Sequence, residues 1–300
     1  MNNANIDDFA LDSRSLAGSL QARLNAGREA GFAKIMLCAP DLIEHPDGVD
    51  AAVAAVLASG LRVTGFTAAM HFEGLTGAMH AYKLDMARVM LGMCHALQGR
   101  LLVLPASTLT TDTTDTQALV RDLRQLAMLA IPLNIKIAYQ GHAAATLVKD
   151  YLQAWDLVCS ADMPNLGLCL DSHDVLMANT SAEDLQADLE MLDPERVFLV
   201  QLADLLDSPE QTLRVLPGDG EHRDTLTTIV SSLHALGYRG DYSLAAYNAD
   251  YAAMPAPHVA QRAKTSALWL GQDVLQRSVP LPNQIRLRRG LSNPSLASAR

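Results

Sequence analysis

The chain has 300 residues, a hydrophobic fraction of 49% and a formal net charge of −10, so it can bury a large core. Its acidic pI of about 5.3 argues against a nucleic-acid or anionic-membrane partner. Four well-separated cysteines without a Cys-x-x-Cys pair predict free thiols, buried at least at Cys38 and Cys169. Because we find neither a leader pattern nor an apolar run long enough for a bilayer, we expect a cytoplasmic protein.

Short apolar runs alternate with helical patterns along the whole chain, and each run is typical of a strand buried on both faces. Apolar residues at helical spacing predict the intervening helices. Capping-box patterns at Thr114 and Thr180 and glycine stops at Gly60 and Gly237 support their ends. The strands are predicted at 9–11, 33–38, 61–66, 100–104, 135–139, 166–171, 196–201 and 242–246, and the main helices at 78–97, 146–160, 185–192 and 259–270.

Eight strand-then-helix units in succession predict a parallel α/β sheet with right-handed crossovers, and eight such units close into a single (β/α)₈ TIM barrel. We therefore expect one domain over residues 1–276, followed by a polar, basic tail over residues 277–300. A methionine-rich stripe at helical spacing, which includes Tyr82 and Val89, is predicted to pack in the core.

Polar residues end two of the predicted strands, Asp171 after LGLCL and Gln201 after RVFLV. The carboxyl ends of barrel strands meet at one rim, where such barrels carry their chemistry. We therefore expect Asp171 and Gln201 to share a site for a metal or a polyhydroxylated ligand. Each also has a structural interpretation, because a strand-end aspartate can simply cap a helix or anchor a loop. His71 and Glu73 fall on a long loop at the same rim. The loop is either part of a lid over the site or a solvated loop without such a role.

Four further residues are candidates for this rim. His173 suits a general base or a displaced metal ligand, or is a polar loop residue without a role in the site. Asp174 would supply a replacement carboxylate, and His142, two residues after Gln140, is a weaker candidate of the same kind. Arg214 suits a clamp for a carboxylated ligand, because guanidinium pairs with carboxylate bidentately. Its alternative is a surface ion pair with Asp207, Asp219 or Glu221.

The segments IKIAYQGH, PNLGLCLDSHD, RVFLVQLAD, RVLPGDG and LGYRGDYSLAAYN resemble the sugar-phosphate isomerase/epimerase superfamily, whose fold is the xylose-isomerase-like barrel. The resemblance covers roughly residues 10 to 272. Within that superfamily the segments are most similar to bacterial 3-dehydroshikimate dehydratases, some of which carry a fused dioxygenase-like domain that we do not expect here. The resemblance implies a metal-dependent conversion of 3-dehydroshikimate into protocatechuate.

The resemblance also implies a divalent metal held by four strand-end residues, two of which match Asp171 and Gln201. The other two are glutamates in the family and fall on Gln140 and Ala245 here. Arg214 matches a basic residue of the family. Because hard cations prefer carboxylate oxygens, and Asp171 is the one carboxylate left among the aligned ligands, we expect either no metal cofactor or weakly bound Mg²⁺, Mn²⁺ or Co²⁺.

These departures predict a divergent 3-dehydroshikimate-dehydratase-like barrel that binds a small polyhydroxy carboxylate, with its dehydratase activity impaired or lost. On this hypothesis Arg214, His142, Asp174 and Gln140 bind the ligand, and His173 with Arg214 carries any remaining catalysis. The alternative is an active metal-dependent lyase or isomerase that uses replacement ligands on a dehydroshikimate, a cyclitol or a keto-sugar. We expect a small-molecule partner, no nucleic acid and no membrane, with a homo-oligomer or an active paralogue as the protein partner.

Overall fold

The computed structural model describes residues 6–110, 113–178, 180–207 and 212–276, and a closed parallel barrel forms its centre. The strands are β1 (Phe9–Asp12), β2 (Lys34–Cys38), β3 (Arg62–Thr67), β4 (Leu101–Pro105), β5 (Lys136–Gln140), β6 (Leu166–Asp171), β7 (Val197–Leu202), β8 (Asp204–Asp207), β9 (Thr212–Val215) and β10 (Tyr242–Leu244). Eight of them close the barrel in the order β1-β10-β7-β6-β5-β4-β3-β2. The predicted (β/α)₈ barrel is confirmed, and the predicted tail at 277–300 lies outside the described residues.

Helices alternate with the barrel strands and pack around them. They are α1 (Leu20–Ala30), α2 (Ala39–Ile43), α3 (Val49–Ser59), α4 (Gly77–Ala96), α5 (Thr116–Ala130), α6 (Tyr151–Ala161), α7 (Ser172–Met177), α8 (Ala182–Glu190), α9 (Arg223–Leu236), α10 (Ala249–Ala253) and α11 (Ala256–Trp269). Within the described ranges, none of these helices combines the length and apolar character needed to cross a bilayer.

Three helix starts differ from the sequence prediction because another side chain caps them. The side chain of Asp150 accepts a hydrogen bond from the backbone N–H of Gln153, so α6 begins at Tyr151 rather than at residue 146. Asp115, rather than Thr114, caps α5, and Ser181, rather than Thr180, caps α8. An aspartate or serine just before a helix satisfies one of its first free N–H groups, and these three residues lie in the position to do so.

The sheet separates the core into two parts. Inside the barrel lies a cluster of Met36, Leu101, Val103, Ala138, Cys169 and Leu199, and a much larger cluster fills the space between the strands and the helices. A β-carbon at Gly65 would lie 2.9 Å from the sulfur of Met36, so the absence of a side chain there gives Met36 its room. Because side chains fill the described barrel interior, the space that the barrel offers a ligand lies at its mouth.

The methionine-rich stripe of α4 was predicted to be core, and this was wrong for Tyr82 and Val89, which are 58% and 55% exposed. The residues of α4 that are buried are Lys83, Ala87, Met90, Leu91 and Cys94. The buried face begins one residue after the predicted stripe, which corresponds to a rotation of about 100° around the helix. Part of the apolar stripe therefore faces away from the core.

The segment after β7, which was predicted to be a loop, contains an antiparallel hairpin formed by β8 and β9. The fully buried carboxylate of Asp204 organises the turn that follows strand β9. It accepts hydrogen bonds from the backbone N–H groups of Leu205, Gly218, Gly220 and His222. A β-carbon at Gly220 would collide with the carbonyl oxygen of Leu205 at 2.2 Å, which explains the glycine. The hairpin carries Arg214 back to the barrel mouth.

Candidate functional site

A cavity of about 530 Å³ lies at the carboxyl ends of the strands. The site residues predicted from sequence that line it are Gln140, His142, His173, Asp174 and Arg214, and His71 of the predicted rim loop lines it too. Asp171, Gln201 and Ala245 are buried at the same end of the barrel, each at most 2% exposed. Strand ends and the β8–β9 hairpin therefore bring all the predicted site residues to one end of the barrel.

Asp171, the last residue of β6, forms a buried ion pair with Arg214. Nη2 of Arg214 donates to both carboxylate oxygens, at 3.1 and 2.9 Å, and Nε donates to the carbonyl oxygen of Ala245. Burial raises the pKa of Asp171, and the adjacent guanidinium acts in the opposite direction. Asp171 also caps α7 by accepting from the N–H of His173. Arg214 is thus part of the mouth and not a surface ion pair, and Asp171 has a capping role in addition to its place in the site.

A second arginine lines the same cavity and was missed by the sequence prediction. Arg14 donates from Nε and Nη2 to the two carboxylate oxygens of Asp12, at 3.0 and 2.6 Å. The guanidinium carbons of Arg14 and Arg214 lie 4.5 and 4.3 Å from the centroid of the Tyr247 ring. Stacking of a guanidinium on an aromatic face is favourable and fixes its orientation. Asp12, Arg14, Tyr247, Arg214 and Asp171 therefore form one continuous array, which we call the arginine platform.

One sequence signal for the platform was available. Asp12 ends β1 in the way that Asp171 ends β6, and a basic residue follows it two positions later. The strand prediction stopped at residue 11, one residue short, so Asp12 was not recognised as a strand-end carboxylate. Tyr247 lies three residues beyond the end of β10, and no local pattern distinguishes it from an ordinary loop tyrosine.

Gln140 connects two carboxylates of the site. Its Nε2 donates to Oδ2 of Asp171 at 3.1 Å and to Oδ2 of Asp174 at 3.3 Å. Nδ1 of His173 lies 3.4 Å from Oδ1 of Asp174, and both residues belong to the short helix α7, which the sequence prediction had treated as a loop. An amide nitrogen at position 140 supplies hydrogen-bond donors between carboxylates that would repel a third negative charge.

Gln201 is the Cα partner of Asp171 on one side and of Ser243 on the other. It is 1% exposed, and neither its amide nitrogen nor its amide oxygen has a hydrogen-bond partner among the described residues; the same holds for the hydroxyl of Ser243. A buried polar group without a partner costs about 1–3 kcal/mol. Such atoms commonly mark a place for a water molecule or a ligand group.

Two rim residues have roles that their loop position did not indicate. Glu73 is 2% exposed and accepts from the N–H of Ser107 at 2.6 Å and from the hydroxyl of Tyr139 at 3.0 Å. Burial raises the pKa of Glu73. It anchors the loop after β3 and is not solvated. Nε2 of His142 lies 3.0 Å from the carbonyl oxygen of Ala106, which ties two rim loops together while His142 still lines the cavity.

The atoms that the strand-end residues offer as metal ligands do not suit a hard divalent cation. Both oxygens of Asp171 are engaged by Arg214, Gln140 turns its amide nitrogen toward that carboxylate, and Ala245 offers only a methyl group and a carbonyl oxygen already bound to Arg214. Across the described ranges, no three His, Cys, Asp or Glu side chains come together in a way that could hold a metal. Magnesium and manganese require several oxygen ligands. The carboxylate of Asp171, the main candidate ligand, is already engaged in the ion pair with Arg214.

Known proteins share this architecture and part of this sequence. Residues 24–272 match the family model described as a xylose isomerase-like TIM barrel. A 3-dehydroshikimate dehydratase of Pseudomonas aeruginosa is 34% identical over 277 residues, which are 89% of this chain and 42% of that protein. An inosose isomerase of Bacillus licheniformis is 29% identical over 155 residues, 50% of this chain and 53% of that protein. The chain thus spans about half or less of the length of these relatives.

Solved structures agree on the barrel. A xylose isomerase-like TIM barrel/4-hydroxyphenylpyruvate dioxygenase fusion protein superposes with a TM-score of 0.79 at 25% identity, over 97% of this chain and 45% of that one. The IOLI protein with a bound zinc atom superposes with a TM-score of 0.75 at 21% identity, over 89% of this chain and 98% of that one. At that level of identity the second similarity concerns the fold alone.

Proposed function

The chain belongs to the xylose isomerase-like TIM barrel family, and on this premise we propose that it binds a small polyhydroxylated carboxylate at the barrel mouth. We further propose that it is a divergent relative of the 3-dehydroshikimate dehydratases whose dehydratase activity is impaired or lost. The observation that carries the proposal is the arginine platform, which gives one cavity two guanidinium groups, Arg14 and Arg214, that share the ring of Tyr247.

The charges that line the cavity favour an anionic ligand. Arg14, Arg214 and three histidines face it, whereas Asp174 is the one carboxylate among its described lining residues. Arg14 donates to Asp12 from Nε and Nη2, whereas Arg214 donates to Asp171 from Nη2 and to the carbonyl oxygen of Ala245 from Nε. A guanidinium has five N–H donors in a planar fork, so the Nη1 edge is the part suited to a ligand carboxylate. The side chains of Asn248, Thr108 and Gln140 add polar groups for hydroxyls.

We expect impaired activity because the strand-end residues offer few ligands for a metal ion. Proton removal beside a ketone is accelerated when a cation stabilises the developing enolate, and the strand-end residues here lack the carboxylates to hold a divalent ion for that task. The curated relatives are 3-dehydroshikimate dehydratases and inosose isomerases, which supports a cyclic polyhydroxylated ligand of similar size. The protein partners expected from sequence, a homo-oligomer or an active paralogue, stay predictions.

One contact favours the second candidate, an active lyase or isomerase. Nδ1 of His173 lies 3.4 Å from Oδ1 of Asp174, and both residues line the cavity. A histidine oriented by a carboxylate suits a general base, and the sequence hypothesis gives the same two residues as replacement metal ligands. Conversion of the ligand at ordinary enzyme rates would select this candidate.

The test combines binding with turnover. Isothermal titration with 3-dehydroshikimate or shikimate should show binding that the uncharged methyl ester of shikimate lacks, and Arg14→Ala should weaken it by about tenfold. Absorbance spectroscopy should show little or no protocatechuate formation with Mg²⁺, Mn²⁺ or Co²⁺ present. Equal binding of the acid and its ester would refute the carboxylate ligand. Rapid protocatechuate formation with any of the three ions would refute the impaired dehydratase.

A further inference from the structure

We propose that the guanidinium of Arg214 is a built-in cation that occupies the position of a divalent ion against Asp171, so that the mouth is complete without a metal. The first observation is that hydrogen-bond donors occupy both carboxylate oxygens of Asp171. Nη2 of Arg214 donates to both oxygens of Asp171, and Nε2 of Gln140 and the N–H of His173 add further bonds. No carboxylate oxygen of Asp171 is left without a donor.

The position of the guanidinium is defined on three sides. Nε donates to the carbonyl oxygen of Ala245, the Tyr247 ring lies 4.3 Å from the guanidinium carbon, and Asp171 closes the third side. The residue is 8% exposed. Ala245 is fully buried, and its methyl side chain leaves the space that a longer acidic side chain would claim. Arg214 is therefore held in place by three groups and is not free to move in solvent.

Arg214 already supplies a full positive charge to the carboxylate of Asp171. The neutral amide of Gln140 joins Asp171 to Asp174. A divalent ion at Asp171 would lie beside the guanidinium of Arg214 and would be repelled by it. A divalent ion could bind this carboxylate only by displacing Nη2 of Arg214 from its two oxygens.

Gln201 indicates where an ion would lie if the arginine were absent. Its buried amide oxygen has no hydrogen-bond partner among the described residues, and its Cα is paired with that of Asp171 on the neighbouring strand. With Arg214 shortened, Asp171, Gln201 and Asp174 would present oxygen atoms to one space. The inference does not depend on which organic ligand the mouth binds.

The experiment asks whether removal of the arginine creates a metal site. Protein is dialysed against Mn²⁺ or Zn²⁺ and analysed for metal content, with affinities from isothermal titration. We expect wild type to retain no stoichiometric ion, and Arg214→Ala to bind one with at least tenfold higher affinity. The double variant R214A/D171N should lose that gain. Arg262→Ala, which breaks a partly exposed pair with Asp219 at 2.8 Å, is the matched control and should gain nothing.

Two results would overturn the inference. A stoichiometric ion in wild type that disappears in Asp171→Asn means that metal and arginine coexist. A folded Arg214→Ala variant without any gain in metal affinity means that the guanidinium of Arg214 does not occupy the position of a divalent ion. If Arg214→Ala fails to fold, Arg214→Gln, which removes the charge and keeps a side chain of similar length, takes its place in the same titration. Failure of carboxylate binding in wild type would refute only the proposed function, since metal content is measured without organic ligand.

Discussion

Asp171 and Gln201 are paired through their Cα atoms on adjacent strands, yet their polar atoms are in opposite states. Both carboxylate oxygens of Asp171 are hydrogen-bonded, whereas neither amide atom of Gln201 has a partner among the described residues. Satisfied and unsatisfied groups thus lie side by side at the carboxyl end of the barrel. This contrast separates the groups that stabilise the folded chain from those available to a ligand.

Gln201→Met should leave the free energy of unfolding unchanged within about 1 kcal/mol or increase it, because the substitution removes two unpaired buried polar atoms at nearly constant volume. Urea unfolding followed by circular dichroism measures this. Gln140→Met is the matched control, and it should lose about 1–3 kcal/mol since its amide donates to two carboxylates. An equal loss in both variants would mean that the Gln201 amide is hydrogen-bonded in solution.

The ring of Tyr247 should matter more for the arginine platform than its hydroxyl. Tyr247→Phe keeps the aromatic face on which Arg14 and Arg214 stack, and we expect carboxylate affinity within about threefold of wild type. Tyr247→Leu removes the face and should weaken binding by about tenfold or more, because each buried cation–π contact contributes about 1–2 kcal/mol. Titration calorimetry compares the two variants. Comparable losses in both would assign the effect to the hydroxyl.

Asp204→Asn should destabilise the protein by about 1–3 kcal/mol. The carboxylate accepts the N–H of Leu205 in β8 and three N–H groups of the turn that follows the hairpin. An amide nitrogen in place of one oxygen would face those donors. Denaturant unfolding gives the value. Asp207→Asn lies on the same hairpin with an exposed carboxylate, and it should change stability by less than about 0.5 kcal/mol. Similar effects in the two variants would argue against Asp204 as the organiser of the turn.

Glu73 should make stability depend on pH in a defined direction. Burial raises the pKa of Glu73, so the folded state holds its proton at a pH where the unfolded state, with a pKa of about 4.3, has lost it. The associated stability is fully present below about pH 4 and is lost as the pH rises through the folded-state pKa.

Glu73→Gln removes this dependence and keeps an oxygen to accept from Ser107 and Tyr139. The stability of wild type minus that of the variant should therefore fall with rising pH, by at most about 1.4 kcal/mol per pH unit, and then level off. Urea titrations between pH 4 and 8 measure it, with the exposed Glu183→Gln as control. A difference that rises with pH would contradict the buried, protonated carboxyl.

Part of the site could be predicted from local patterns because barrel geometry is regular. Residues that end parallel strands meet at one rim, so Asp171, Gln201 and Gln140 were expected together and are found together. The orientation of α4 could not be predicted as well, since Tyr82 and Val89 satisfy the helical spacing of a core face and are nonetheless exposed. A stripe of apolar residues defines a face of a helix, and neighbouring helices decide which face is covered.

The sequence by itself determined the eight-stranded barrel and several of the residues at its mouth, because period, strand length and turn residues act over a few positions along the chain. Only the tertiary structure decided which of those residues are paired. Arg214 is 43 positions from Asp171 and lies on a hairpin that is followed by a turn bound to Asp204. Arg14 and Tyr247 come from the first and last barrel strands, which are adjacent because the barrel closes. Such side-chain pairs depend on distances of a few ångströms between segments that are remote in sequence, and local sequence patterns do not predict those distances.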